Sequence, residues 1–193
     1  MLKRLAQSGL VKTTVGVQAT TERIREKVMG RGVKDHQIIR FANAMIENRL
    51  TFKYDIIHWN PFDTNETLGQ GADFLRRLPK GEQVDLFQLK VFPGSRLHKK
   101  ILAERPKPLS GKEYEYWAWI YQLILRDRTT EKIADAAMED PYYKDNPRAL
   151  RQLLKKASEK VSSQYRLYAS RNISKSEKIS NLMLTRRKTS LAD

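Results

Sequence analysis

Hydrophobic and polar positions in the N-terminal half of the chain switch repeatedly between a strand-like and a helical period. Three short runs are rich in β-branched and aromatic residues, as strands are. They occupy residues 13–17, 51–57 and 84–92. Helical spacing of apolar residues covers 21–29, 35–50, 66–78 and about 95–104. Strands that alternate with helices through short connections predict parallel βα units, and therefore an α/β fold.

The composition changes after the stretch RPKPL at residues 105–109. Beyond it, helical spacing predicts helices over 111–127, 129–139 and 147–170. The first of these helices carries aromatic residues at helical spacing, which indicates a packed helix face rather than a platform for stacked bases. They are Tyr114, Trp117 and Tyr121. We therefore expect three regions, which are an α/β part over 1–106, an α-helical region over 107–171 and a basic tail over 172–193.

Each predicted strand carries a more apolar face and a face with polar groups, since successive side chains of a strand point to opposite sides of its sheet. On the first strand the opposing pairs are Val15 with Val17, and Gly16 with Gln18. On the second they are Phe52, Tyr54 and Ile56 against Lys53, Asp55 and Ile57. On the third the mostly apolar set is Asp85, Phe87, Leu89 and Val91, and the opposing set contains Gln88 and Lys90.

Helices that cover a parallel sheet would meet its apolar face, so the polar groups should share the other face. We expect Gln18, Asp55 and Gln88, together with Lys90, to converge there. Gln18 also ends its strand, and α/β barrels bind ligands at the carboxyl ends of their strands. Two interpretations are open. These groups hold a ligand, or they satisfy one another in a buried network.

The turn after the second predicted strand, DIIHWNPFDTNET at residues 55–67, contains two further carboxylates. Asp63 and Glu66 have the spacing of a capping box, and Pro61 suits the turn before a helix. We interpret both carboxylates as helix-start residues rather than as a catalytic acid and base.

Residue types that the chain lacks narrow its chemistry. Among its 193 residues there is no cysteine, which excludes disulfides, thiol nucleophiles and cysteine-ligated zinc or iron–sulfur clusters within this chain. His36, His58 and His98 show no metal-ligand spacing, so we predict no metal site. No apolar run is long enough to span a bilayer, and we expect a cytoplasmic protein with no membrane partner.

The charge is strongly basic. Lysine and arginine number 37 against 22 acidic residues, which gives a formal net charge of +15. From Pro147 onward, 12 basic residues face 3 acidic ones, so this part supplies +9. Such a region can bind a phosphate backbone through counterion release. It can equally be a solvated helix face, so nucleic acid is a partner that we consider without favouring it.

Four fragments carry a resemblance to a known family when they are taken in order. They are GVQ at 16–18, the helix end GR at 30–31, DII…P.DT at 55–64, and FPGSRL at 92–97. Over roughly residues 5–105 the chain resembles the C-terminal half of the barrel of radical S-adenosylmethionine (radical SAM) enzymes. The likeness is greatest to the branch that often carries a cobalamin-binding domain.

This resemblance implies a partial (β/α)6 barrel, of which the chain would hold three parallel strands with their helices, followed by the α-helical region. It also implies half of a site for S-adenosylmethionine. By family likeness, Gln18 and Asp55 would hydrogen-bond the ribose hydroxyls, and Arg31 would pair with the methionyl carboxylate. The residues that would flank the adenine are Ile57 and the backbone near Val91 and Phe92.

The chain departs from the family pattern in ways that limit its expected activity. The family holds a [4Fe–4S] cluster on a CxxxCxxC loop, and this chain has no cysteine. The cluster, and cobalamin where it is used, would belong to the complete enzyme, with an N-terminal half-barrel or a partner protein supplying the missing strands. Gln18-Ala19-Thr20 stands for the usual Gln-Ser-Gly, and Trp59 stands where a glycine is usual.

We therefore expect no catalytic residue in this chain, and the substrate of the complete enzyme is not indicated. Two alternatives remain. One is a cysteine-free relict or split-gene half that acts as a binding or assembly module. The other is a basic RNA-binding protein that uses residues 147–193.

Overall fold

The computed structural model describes residues 2–81 and 83–157. The chain up to Gln152 forms one compact unit, and a second unit begins at Leu153. The predicted boundary near residue 107 falls inside the first unit, in the loop before its longest helix. The predicted tail over 172–193, and the predicted helix beyond residue 157, lie outside the described residues.

The elements follow the predicted order of strands and helices. In the α/β part they are α1 (Leu2–Gln7), β1 (Lys12–Gln18), a π-helical turn (Ile24–Val28), α2 (Asp35–Glu47), β2 (Thr51–His58), α3 (Asn65–Arg77), β3 (Gln83–Gln88) and α4 (Arg96–Glu104). The helical part consists of α5 (Gly111–Arg126), α6 (Arg128–Glu139) and α7 (Pro141–Asp145). Residues 147–157 are also helical. Within the described ranges, no helix has the length and the apolar run that crossing a bilayer requires.

The three strands form one parallel sheet in the order β1-β2-β3, which confirms the predicted α/β class with three parallel strands. The spatial order equals the chain order, and helical segments connect the strands. Right-handed crossovers that step in one direction put their helices on one face of a sheet, as in a singly wound layer. A doubly wound sheet would instead reverse its order at a switch point.

Burial along β2 alternates at every residue, so helices cover one face of the sheet only. The side chains on the covered face are Phe52, Tyr54, Ile56 and His58, all buried. The other face, which we name the open face, carries Lys53, Asp55 and Ile57 of β2, Thr14 and Gly16 of β1, and Asp85 and Phe87 of β3. Parallel sheets are usually covered on both faces, so an open face on such a sheet needs an explanation.

The third strand differs from the prediction in length and in facing. It ends at Gln88 rather than at residue 92. Asp85 pairs with Asp55 and therefore lies on the open face, whereas Gln88 pairs with His58 on the covered face. The expected convergence of Gln88 with Asp55 is therefore wrong, and Lys90 lies beyond the end of the strand. The run 84–92 has apolar residues at both parities, so its pattern alone could not decide which side faces the helices.

Helix α5 forms the centre of the helical part because it packs against α3, α6 and β3. A helix enclosed on several sides is apolar around most of its circumference, which explains its aromatic composition. Tyr114, Trp117 and Tyr121 are all buried, as their spacing predicted. Helix α3 packs closely against Thr20, which follows β1. This close approach requires Gly71, because a Cβ there would lie 2.1 Å from the Thr20 hydroxyl oxygen.

The start of α3 corrects the predicted capping box by one residue. The N-cap is Thr64, whose hydroxyl accepts a hydrogen bond from the Thr67 N–H, and the Thr67 hydroxyl in turn accepts one from the Thr64 N–H. Asp63 precedes the cap, and Glu66 lies exposed in the first turn. A threonine hydroxyl is the better-placed cap here because Asp63 is turned into the protein instead.

A buried arginine fixes the segment that follows β1. Arg25 is 1% exposed, and its guanidinium donates to the Ala19 carbonyl at 2.6 Å and to the Val33 carbonyl at 3.0 Å. It also pairs with Asp35, the first residue of α2. Because a buried charge needs such partners, Arg25 ties the end of β1 to the start of the next helix.

Candidate functional site

Two of the predicted site residues lie side by side on the open face at the carboxyl end of the sheet. Gln18 is in the left-handed region with φ 67°, so its side chain folds back over β1. A Cβ built on Gly16 would lie 2.8 Å from the Gln18 Nε2 atom. Since Gly16 pairs with Asp55 in the sheet, the Gln18 amide lies over the residue next to Asp55.

Charged neighbours hold Asp55 in place. The Lys53 ammonium lies 2.5 Å from Asp85 Oδ2 and 3.5 Å from Asp55 Oδ1. Its hydrogen bond to Asp85 raises the pKa of Lys53 and lowers the pKa of Asp85, so this pair is charged at neutral pH. Asp55 Oδ1 is buried, and among the described residues the nearest donor to it is the Lys53 ammonium. The Asp55 side chain is 27% exposed, so a ligand on the open face would reach this carboxylate through its other oxygen, Oδ2.

This arrangement suits a ligand that presents hydroxyl groups. A carboxylate accepts hydrogen bonds, and a glutamine amide both donates and accepts them. Adjacent hydroxyls, such as those of a ribose, would donate to Asp55 and exchange hydrogen bonds with Gln18. Residues present on the open face thus fit the sugar of S-adenosylmethionine.

The other predicted contacts are more dispersed. Ile57 is half-buried on the open face, two residues beyond Asp55 and paired with Phe87. Arg31 is exposed in the loop before α2, and its backbone N–H donates to the Arg25 carbonyl at 2.8 Å. No contact that the structure describes joins the Arg31 side chain to Gln18 or Asp55.

Val91 and Phe92 lie beyond the last residue of β3, in the loop that leads to α4. Val91 is half-buried, and the Phe92 side chain is 71% exposed. The backbone predicted to flank an adenine is therefore loop and not strand.

A second polar cluster, which the sequence did not indicate as functional, lies at the carboxyl end of β2. Asp63 is 7% exposed, and its burial raises the pKa of the carboxyl group to about 7. A hydrogen bond from the Asn60 backbone and the charge of Arg23 oppose this rise. The spacing of Asp63 to Glu66 predicts a helix-start role, whereas the Asp63 side chain is buried and Thr64 is the N-cap of α3.

The tyrosine Tyr114 of α5 connects this cluster to the helical part. Its hydroxyl donates to the Asn60 carbonyl at 2.6 Å. Burial, and then the charge of Asp63, raise the pKa of Tyr114 to about 12, so it stays protonated and keeps this hydrogen bond. The Asn60 Nδ2 atom is buried with no acceptor among the described residues.

His58 has a structural role. It is buried, and its Nε2 atom lies 2.8 Å from the Tyr114 carbonyl, which fits a neutral ring that donates at this position. Burial lowers the pKa of His58, in agreement with a neutral imidazole. Its ring also packs edge-on against Tyr114 and Tyr121.

The side chains that lie close together show whether this chain could hold a metal ion or an iron–sulfur cluster. Within residues 2–81 and 83–157, the structure brings together no group of three or more histidine, aspartate or glutamate side chains that could hold a metal ion. A [4Fe–4S] cluster requires thiolate ligands, and the chain contains no cysteine. The residues of this chain therefore fit the ribose of S-adenosylmethionine but do not fit the cluster.

Comparison with known proteins identifies no family for this chain. No protein-family model matches the chain, and no curated protein matches it.

Proposed function

We propose that this chain supplies the C-terminal half of a radical SAM barrel and, with it, half of a binding site for S-adenosylmethionine. The observation that carries the proposal is the position of the Gln18 amide over Gly16, the residue that pairs with Asp55, on an open parallel sheet face. In a closed barrel the same face would line the interior, which accounts for its polar side chains.

In this proposal the chain binds and orients the nucleotide. Gln18 and Asp55 hold the ribose, with Lys53 fixing the Asp55 carboxylate from 3.5 Å. Arg31 pairs with the methionyl carboxylate, for which a planar guanidinium is suited. The adenine contacts Ile57 and the backbone near Val91 and Phe92. The complete enzyme would cleave S-adenosylmethionine reductively at a cluster whose cysteines lie outside this sequence.

The free edges of the outer strands support the proposal that further strands pair with this sheet. Within residues 2–81 and 83–157, β1 and β3 each pair with β2 alone, so each presents a row of backbone groups without a strand partner on its other side. In the proposal these edges pair with strands from an N-terminal half-barrel, in the same polypeptide or in a partner.

Binding of S-adenosylmethionine and S-adenosylhomocysteine to the 193-residue chain tests the site directly by isothermal titration calorimetry. Asp55→Asn should weaken binding about tenfold or more, since a hydrogen bond to a charged group contributes about 1.5–3 kcal/mol. Gln18→Ala should weaken it about 2- to 12-fold, since a hydrogen bond between neutral groups contributes about 0.5–1.5 kcal/mol. Thr14→Ala is the matched control, because Thr14 lies on the same open face two residues before Gly16. Equal affinity in all three variants would contradict the proposal.

Mass spectrometry of the native assembly tests the missing half. The proposal requires that either the native polypeptide or a chain bound to it in stoichiometric amount contains a CxxxCxxC sequence. If S-adenosylmethionine binds but no such sequence is present, the chain is a nucleotide-binding module without radical chemistry. The complete absence of cysteine favours this module as the second candidate.

A further inference from the structure

The end of β1 makes an unusual turn at Gln18. The Ala19 N–H donates to the Val17 carbonyl at 2.9 Å, which closes a turn of three residues. Gln18, at its centre, has φ 67°. Three-residue turns with a positive φ at the centre are rare and strained, and glycine is the residue that adopts such a φ freely. Strain of this kind persists only where the surrounding structure imposes it, so the turn needs a cause.

This turn brings the Gln18 amide back to the level of Asp55. Gly16 pairs with Asp55, but Gln18 pairs with Ile56, so the register shifts at the turn. A regular strand would pair Gln18 with Ile57, roughly 6–7 Å beyond Asp55. Instead, the Gln18 Nε2 atom lies only 2.8 Å from the position of a Cβ on Gly16. The strained turn is therefore what places the amide next to Asp55.

A buried arginine holds the residue that closes the turn. The guanidinium of Arg25, which is 1% exposed, donates to the Ala19 carbonyl at 2.6 Å. The same guanidinium donates to the Val33 carbonyl at 3.0 Å, pairs with Asp35, and lies 5.1 Å from the centre of the Phe74 ring. Because Arg25 is fixed on all these sides, it fixes Ala19 and, through Ala19, the turn.

Joining two segments does not by itself require an arginine. Where a buried ion pair is replaced by apolar residues of similar volume, stability is often unchanged or higher. The guanidinium differs from an apolar side chain in presenting several donors at fixed angles. Such a group is suited to holding a carbonyl in one position, and thus to imposing a conformation that the chain would otherwise leave.

We propose that Arg25 is a positioning residue, which holds the strained turn at Gln18 and so keeps the Gln18 amide beside Asp55 for a ligand hydroxyl. This inference rests on the proposed function for the identity of the ligand. Arg25 itself does not touch the ligand, and it acts through Ala19 and Gln18 alone.

A double-mutant cycle with S-adenosylhomocysteine in the 193-residue chain tests this role by calorimetry. Arg25→Lys keeps the charge but replaces the planar fork with one ammonium, and it should weaken binding about 2- to 12-fold, as Gln18→Ala does. When Gln18→Ala is already present, Arg25→Lys should change the affinity by less than about twofold, because the side chain that it positions is gone. A residue that only stabilises the fold would show no such coupling to one ligand contact.

Met45→Ala is the control for lost stability. Met45 is buried in α2, ten residues beyond Asp35, so its truncation leaves a cavity about 15 Å along the helix from the ion pair of Arg25. At a temperature where thermal unfolding shows every variant folded, Met45→Ala should bind like the wild type. If Arg25→Lys does not fold, Asp35→Asn repeats the cycle with Arg25 in place, since it weakens the partner of the guanidinium at a side chain that is 20% exposed.

The strain gives a second measurement that needs no ligand. Gln18→Gly should raise the melting temperature of the wild type by about 2–4 °C, because glycine adopts a positive φ freely. In the Arg25→Lys background the turn can relax, so the same substitution should give no rise.

The two measurements separate this inference from the proposed function. If Arg25→Lys weakens binding equally with and without Gln18, the arginine acts elsewhere, and the positioning role is refuted while the proposed nucleotide site stands. If no protein binds S-adenosylhomocysteine, the proposed function fails and the melting temperatures decide the inference. An equal rise in both backgrounds overturns it, and a rise confined to the wild type supports it.

Discussion

At the residue scale, the buried carboxyl of Asp63 should link stability to pH. Its folded-state pKa of about 7 is above the ordinary value near 4. Between about pH 4 and pH 7, Asp63 is therefore protonated in the folded protein and ionised in the unfolded chain. The contribution of this group is fully present below about pH 4, declines as the pH rises, and is lost above about pH 7, for a total of roughly 4 kcal/mol.

Asp63→Asn should remove this dependence, because an amide does not ionise. Urea unfolding of the wild type and the variant, at several values between pH 4.5 and 8, checks the prediction. Burial lowers the pKa of His58, which acts in the opposite direction and costs stability as the pH falls below its ordinary value. The difference between the two proteins isolates Asp63, since His58 is common to both. Asp73→Asn, at an exposed carboxyl of α3, should leave the wild-type pH dependence intact.

At the scale of elements, contact between α3 and α5 depends on a glycine. A Cβ on Gly71 would lie 2.1 Å from the Thr20 hydroxyl and 2.5 Å from the Tyr121 hydroxyl, neither of which can move easily in this buried hydrogen-bonded pair. Gly71→Ala should therefore destabilise the fold by about 1–3 kcal/mol through overpacking. Chemical denaturation measures the change.

Gly69→Ala in the same helix is the control for Gly71→Ala. Its Cβ would meet the Trp117 ring at 3.6 Å, an ordinary contact. Alanine is the better helix former, so this variant should be neutral or more stable by about 0.5–1 kcal/mol. If Gly71→Ala gained as much stability as Gly69→Ala, helix propensity and not the contact with Thr20 would control this position.

Local pattern was sufficient to predict most elements, but not the facing of β3 or the ends of the strands. Strand β2 alternates without exception, so its two faces, and with them Lys53 and Asp55, followed from spacing alone. For β3 the decisive information is the register with β2, which is a tertiary property. The turn that buries Asp63 likewise depends on packing around Tyr114, a contact between residues far apart in sequence.

The candidate site likewise combines residues that the sequence predicts with features that only the fold determines. Gln18 and Asp55 could be selected from strand position, but the hydrogen-bonding state of Asp55 depends on Lys53 and on Asp85 from a neighbouring strand. The left-handed backbone at Gln18 and the hydrogen bond from Arg25 to the Ala19 carbonyl had no signal in the periodicity, because a single turn residue belongs to no repeating pattern. Only the fold brings those groups together.

At the scale of the whole molecule, the sheet is covered on one side and uncovered on the other, and two adjacent isoleucines report on this difference. Ile56 is 1% exposed on the covered face, whereas Ile57 is half-buried on the open face. Ile56→Thr should cost about 2–4 kcal/mol, because it removes apolar contacts and buries a hydroxyl. Ile57→Thr should cost less than about 1 kcal/mol in the isolated chain, since threonine is equally suited to a strand.

The same pair of variants distinguishes an isolated half from an assembled barrel. If a second half closes over the open face, the Ile57 side chain becomes enclosed, and Ile57→Thr should then reduce the stability of the assembly about as much as Ile56→Thr does. Urea unfolding of the 193-residue chain, and of its native assembly once isolated, gives both comparisons. Equal losses in the isolated chain would mean that the open face is already covered, and the sheet would then need no partner.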